Sequence, residues 1–194
     1  LLANTSYHTR VCAKNAVDVG GTWQVIGATY TVIEAVSGVG FSVFGSSIEV
    51  TASGTITNLA QGLSGINFET YKNADYTDLK SSTSWITQIS TNVLQLSSNT
   101  TYYFRLTSRN GDGVPATAKQ DFKPTRIESP TGVVFKVYNS SISAAQYPEN
   151  YTKLTSSQSG IIIYNVIASS DSLWRKTTDW WLGKTDLTPG KAYT

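Results

Sequence analysis

The sequence predicts an all-β chain of tandem antiparallel β-sandwich modules, each of about 90–95 residues. Three observations lead there. A Leu-x-x-x-x-x-Tyr outline occurs three times, as Leu1/Tyr7, Leu96/Tyr102 and Leu187/Tyr193, with the tyrosines 95 and 91 residues apart. The run Gly38-Val39-Gly40-Phe41-Ser42-Val43-Phe44-Gly45-Ser46-Ser47-Ile48 is echoed by Gly132-Val133-Val134-Phe135-Lys136-Val137-Tyr138-Asn139-Ser140-Ser141-Ile142 at a uniform offset of 94. Charged residues make up only 14% of the chain, with Ser, Thr, Asn and Gly filling the surface, a composition suited to strands and poor for helices.

Residues 1–33 are expected to form the last hairpin of a first module, with strands over 7–14 and 22–32. Asp18, Gly20 and Gly21 lie in the turn between them, where positive φ is wanted. By period two, Tyr7, Thr9, Val11 and Ala13 share one face; His8, Arg10, Cys12 and Lys14 share a wet one. Residues 34–126 make one complete module, with strands opening at Gly38, at Ile48 (to Ala52) and at Ile66 (to Tyr71). A connecting strand carries Trp85 and Ile86, Leu94 and Leu96 lead into the Tyr102 strand, and a Gly111-Asp112-Gly113 turn hands over to a last strand from Ala116 to Phe122. Pro115 and Pro124 sit at the ends of that last strand, where a missing N–H does least harm. Residues 127–194 repeat the opening strands and stop at the start of the Tyr193 strand. Ile162, Tyr164 and Val166 mark the third strand there, and Ser169, Ser170 and Asp171 a turn. The chain is thus expected to be an internal segment of a longer protein.

Several function classes are excluded. Net charge is +2 without a basic cluster, so no nucleic-acid partner is expected. No apolar run has the length of a membrane span, so no membrane insertion is expected within this segment. One cysteine permits no intrachain disulfide. Catalysis is not expected: the single histidine, His8, and Cys12 are four residues apart on one strand, roughly 13 Å at strand rise, far beyond the ~3 Å of a nucleophile–base pair. Cys12 should face outward. The acidic residues are dispersed, with Asp75, Asp78, Asp112 and Asp171 in or beside turns, so no metal or other cofactor is expected.

Leu96, Thr100, Tyr102, Phe104, Leu106, Ser108, Asn110 and Gly113 fill an outline that resembles the E–F corner and F strand of fibronectin type III domains. Leu1, Thr5, Tyr7, Val11, Ala13, Asn15 and Gly20 fill it again, with Thr9 in place of the aromatic, and Leu187, Pro189 and Tyr193 begin it a third time. The resemblance implies an immunoglobulin-like sandwich of seven strands in two antiparallel sheets. It also implies a tyrosine hydroxyl bonded to backbone just upstream, pinning each corner. One departure stands out: the family's usual second-strand Trp is replaced by Ala52 and Gln146, so other aromatics must fill the space, with Trp23, Trp85 and Trp181 as candidates.

Candidate interaction residues follow. Arg109, Asn110, Gly111 and Asp112 occupy the F–G tip, where some members of the family carry an Arg-Gly-Asp ligand; here Asn110 interrupts the tripeptide, and Asn-Gly is itself a strong hairpin signal. Trp174, Trp180 and Trp181 offer an exposed aromatic contact, since neighbours on a strand point to opposite faces. Asn4, Asn99, Asn139 and Asn150 fit the N-glycan acceptor pattern, and Asn4 and Asn99 hold the same corner position. The function expected is that of an extracellular or cell-surface structural and adhesive repeat, a spacer in a surface, matrix or filament protein. Its partners would be neighbouring modules, other copies in a filament, or other surface or matrix proteins and glycans. The alternative is a carbohydrate- or protein-binding module of a receptor or secreted enzyme, using exposed tryptophans or the F–G loop.

Overall fold

Fourteen strands and no helix make up the described part of the chain in the computed structural model, which covers residues 1–129, 131–139, 142–147, 164–165, 170–171 and 182–184. Leu1–Val43, Ser47–Gln95 and Thr101–Lys123 form one compact unit; Phe44–Ser46, Leu96–Thr100 and the chain from Pro124 form a second.

In the first unit, β1 (Ser6–Val11) and β2 (Gln24–Tyr30) are an antiparallel hairpin. Its pairing slips between Thr9 and Arg10, opposite Gly27. Of the three turn residues, only Asp18 takes positive φ, at 64°. Gly20 instead bridges Lys14, and the Gly21 N–H donates to the Ala13 carbonyl, so both serve pairing rather than reversal. The anticipated two-faced burial does not extend along β1: Val11 is 51% exposed and Cys12 is half-buried, because the strand pairs with β2 alone in a two-stranded sheet.

The sandwich follows. One sheet has the order β3 (Gly38–Val43), β4 (Ile48–Ser53), β7 (Ser90–Val93). The other has the order β6 (Leu79–Ile86), β5 (Gly65–Tyr71), β8 (Thr101–Arg109), β9 (Lys119–Pro124). Alternation sets which side chains face in. Ile48, Val50 and Ala52 of β4, Ile66, Phe68 and Thr70 of β5, and Tyr102, Phe104, Leu106 and Ser108 of β8 are all buried. Each fully buried aliphatic or aromatic side chain contributes about 1.5–3 kcal/mol. The result is a fibronectin type III-like sandwich of seven antiparallel strands.

Neither described tryptophan compensates for Ala52. Trp23 is 53% exposed on the hairpin under the Arg10 guanidinium, and Trp85 lies half-buried under Arg109. Phe41 and Phe104, with rings 5.0 Å apart, supply the aromatic filling instead, together with Phe68 and Tyr102. Trp181 lies outside the described residues.

In the second unit, β10 (Gly132–Val137) and β11 (Ile142–Tyr147) pair in the register of β3 and β4, 94 residues on: Gly132 faces Tyr147 as Gly38 faces Ser53, and Val137 faces Ile142 as Val43 faces Ile48. β14 (Leu182–Lys184) pairs with β11. Ser170 and Asp171, expected in a turn, form the short strand β13 (Ser170–Asp171) against β12 (Tyr164–Asn165).

Candidate functional site: a joint between hairpin and sandwich

Two small hydrogen-bond networks occur twice, 94 or 95 residues apart. At the corner, the Thr5 N–H donates to Thr31 Oγ1 (3.0 Å), and Thr31 in turn donates its hydroxyl to the Leu2 carbonyl (2.6 Å) and its N–H to the Thr5 carbonyl. The Thr100 N–H donates to Thr125 Oγ1 (3.0 Å), and Thr125 donates to the carbonyls of Ser97 and Thr100 in the same way. Asn4 and Asn99 sit inside these corners in the left-handed region, at φ 44° and 45°. Asparagine tolerates that conformation better than most side chains, which accounts for its recurrence there.

The second repeated network is the hairpin turn. Asn15 Oδ1 accepts the N–H groups of Val17 (3.0 Å) and Val19 (2.9 Å); Asn110 Oδ1 accepts those of Asp112 (3.1 Å) and Val114 (2.8 Å). Asp18 and Gly113 take the positive φ, 64° and 82°. Each asparagine side chain thus organises its own turn, as Asn commonly does.

The first corner and the second turn meet. Asn4 is fully buried; its Nδ2 donates to the Asn58 carbonyl (2.6 Å) and its Oδ1 accepts the Gly111 N–H (2.8 Å). Asn58 donates back to the Ala3 carbonyl (3.0 Å) and Thr5 Oγ1 (3.2 Å). Asp112 Oδ2 accepts both the Tyr30 N–H and the Thr29 hydroxyl, each at 2.8 Å, and these bonds hold its carboxyl below the usual aspartate range. Asn110 Nδ2 donates to the carbonyls of Thr31 (3.1 Å) and Tyr30 (3.4 Å). A Cβ at Gly111 would lie 2.6 Å from the Tyr30 ring, which would have to move to admit it. The Glu34 carbonyl accepts from Ser108 Oγ (2.7 Å). Burial alone would raise the Glu34 carboxyl, but the N–H groups of Glu34 and Thr57 and the Thr57 hydroxyl outweigh it and hold it below the usual range.

The anticipated residues fall into place as follows. Asn110, Gly111 and Asp112 lie in the joint. Arg109 turns outward, stacking 4.4 Å over the Trp85 ring and donating its Nε to the Leu63 carbonyl (2.5 Å). Asn4 has the glycan-acceptor pattern, yet its amide is buried and bonded at both ends; Asn99 is half-buried and Asn139 exposed. Tyr7 Oη accepts the Leu2 N–H (2.9 Å) beside a 97% exposed Leu1, whereas Leu96 and Tyr102 are buried. Asn150, Trp174, Trp180, Trp181, Leu187 and Tyr193 lie outside the described residues. Asn58, Tyr30 and Thr31 were not anticipated; the signal for Thr31 was its counterpart Thr125, 94 positions on.

The outer face of the four-stranded sheet carries a second group of contacts. Arg105 Nε pairs with Glu69 Oε2 (2.6 Å), and its guanidinium lies 5.1 Å from the Tyr71 ring. Tyr71, Tyr76, Tyr103 and Phe122 continue as an aromatic row with ring separations of 5.3, 6.2 and 6.0 Å. Burial, then the Glu69 charge, raises the Tyr71 phenol; the hydrogen bond to Glu69 is the main cause raising Arg105. Among the described residues no group of three His, Cys, Asp or Glu side chains forms a metal cluster, and no helix is long and apolar enough to cross a membrane.

No protein-family model and no curated protein sequence matches the chain. Similar solved structures include a computationally redesigned β-sandwich protein at 19% identity, over 46% of this chain and 90% of that one, with a TM-score of 0.38. The d3–d4 domains of the rat CD45 extracellular region align at 17% identity over 64% of this chain and 66% of theirs, with a TM-score of 0.43. The FN1–FN3 domains of chicken CNTN1 align at 16% identity over 97% of this chain and 68% of theirs, with a TM-score of 0.40.

Proposed function

We propose that the chain is a non-catalytic, extracellular run of sandwich modules in a surface, matrix or filament protein, acting as a spacer and as a platform for protein contacts. One observation carries the reading. A hairpin that matches the last two strands of a module, down to its corner and turn networks, is clamped by side chains to the sandwich that follows it. Such a clamp resists bending between neighbours, which is what a spacer requires, and modules joined in this way add length in proportion to their number. The F–G tip is thereby engaged with a neighbouring module of the same chain. The outer aromatic and guanidinium face of the four-stranded sheet supports a second reading, a module that binds a glycan or protein ligand there.

Pulling the full chain end to end separates spacer from non-spacer. A sandwich of about 90 residues should unfold in one discrete step that releases close to 300 Å of extended chain. Smooth extension without a step would overturn the spacer reading, and quenching of tryptophan fluorescence by glycans at micromolar concentration would favour the second.

A further inference from the structure

We propose that the Asn110-Gly111 bond is a site of spontaneous deamidation whose rate is governed by docking of the hairpin, so that a joint left open long enough is converted irreversibly to an undocked form. This is the sole Asn-Gly pair in the 194 residues. Glycine after asparagine leaves the following backbone nitrogen unhindered, and that nitrogen attacks the side-chain carbonyl carbon. The bond to the side-chain nitrogen breaks, ammonia leaves with the displaced proton, and a five-membered imide forms. Water then opens the imide to aspartate or isoaspartate; the net change is ammonia out and water in, with no oxidation or reduction.

Docking restrains both reacting groups. The Gly111 N–H, which must lose its proton, is held by Asn4 Oδ1 at 2.8 Å in a buried setting. Asn110 is 2% exposed, its side-chain nitrogen donating to the Tyr30 and Thr31 carbonyls and its side-chain oxygen accepting from the N–H groups of Asp112 and Val114. The bonds from Asn4, Tyr30 and Thr31 come from the hairpin and vanish on undocking. Reaction therefore proceeds from the open population, as in exchange through local unfolding. The product opposes redocking: a carboxylate at position 110 turns oxygen toward the Tyr30 and Thr31 carbonyls, where the amide donated, and buries an unpaired charge. Asn15, with an equivalent turn network, is followed by Ala16, whose Cβ hinders attack, and serves as the internal control.

The test follows Asn110 conversion by peptide mass and isoaspartate content in the full chain at mildly alkaline pH. Wild type, Asn4→Gly and Asp112→Ala are each normalised to their own rate in denaturant. Wild type should react at least about tenfold more slowly folded than unfolded, and both variants should recover most of that difference through a larger open population, with Asn15 unchanged. Equal folded and unfolded rates in wild type, or variants that keep the wild-type ratio, would overturn the proposal. If Asn4→Gly does not fold, the wild-type ratio and Asp112→Ala decide. Asn110→Asp, made directly, should lose amide-exchange protection at Gly111 and Tyr30, whose N–H groups donate across the joint; full protection there would overturn the claim of irreversibility.

Discussion

Replacing Asn4 by alanine should open the joint, and the structure sets the size of the effect. Two terms add. Truncation leaves the buried Gly111 N–H without its acceptor and the Asn58 carbonyl without one donor, a loss of about 1–3 kcal/mol for an orphaned buried group. Alanine must also hold the left-handed φ of 44°, which costs an L-residue with a Cβ roughly 1–2 kcal/mol. The sum, about 2–5 kcal/mol, corresponds to roughly 30-fold to several thousand-fold greater opening. Asn4→Gly keeps the backbone free of strain and loses only the bonds, so the difference between the two variants isolates the conformational term. Native-state amide exchange at Tyr30, whose N–H donates across the joint to Asp112 Oδ2, reads the opening directly. Protection within about twofold of wild type in both variants, less than 0.5 kcal/mol, would refute the reasoning that Asn4 holds the joint.

Other outcomes follow from the same geometry. The Asp112 carboxyl is depressed by its bonds from Tyr30 and Thr29, so its contribution is complete above the unfolded aspartate value of about 3.9 and is lost as pH falls through the lower folded value. Hairpin protection should be flat from about pH 8 to 5 and fall below about 4, and Asp112→Ala should lessen that acid dependence, the depressed Glu34 carboxyl supplying the remainder. Gly62→Ala should destabilise more than Gly111→Ala. At Gly62, φ is +55° and the new Cβ meets the Gly111 backbone oxygen at 2.6 Å, whereas at Gly111 it meets the Tyr30 ring, which can swing; urea denaturation gives the order. Leu106→Ala, at a fully buried site in β8, should cost about 2–5 kcal/mol in the same measurement. Peptide mass of the chain expressed in a glycosylating host should show Asn4 unmodified, its amide being enclosed.

The strands with a clean period of two and a repeated partner were legible from sequence. β8 alternates Tyr102, Phe104, Leu106 and Ser108 inward against Tyr103, Arg105, Thr107 and Arg109, and β3 and β4 are confirmed by their copies 94 residues on. β7 was harder to read, since Ser-Thr-Asn-Val offers a single core residue, Val93. β9 begins at Lys119 rather than Ala116, because pairing after the turn is first a lone bridge between Arg109 and Pro115, and a proline brings no N–H to a ladder. The joint was the least legible part. Asn4 and Gly111 are 107 positions apart, and each had a local explanation, a glycan pattern at one and a tight turn at the other. Only folding shows that a corner asparagine, selected for its backbone, also supplies the acceptor for the turn of a neighbouring sandwich.

The central claim is that hairpin and sandwich are one rigid piece, and backbone ¹⁵N relaxation of the full chain tests it most directly. Amides of β1 and β2 in the paired core of the hairpin should share the tumbling time of those in β5 and β8, with order parameters near 0.85, as expected of rigid backbone on the ps–ns scale. A separate, faster tumbling time for the hairpin, or order parameters below about 0.6 through β1 and β2, would contradict the account.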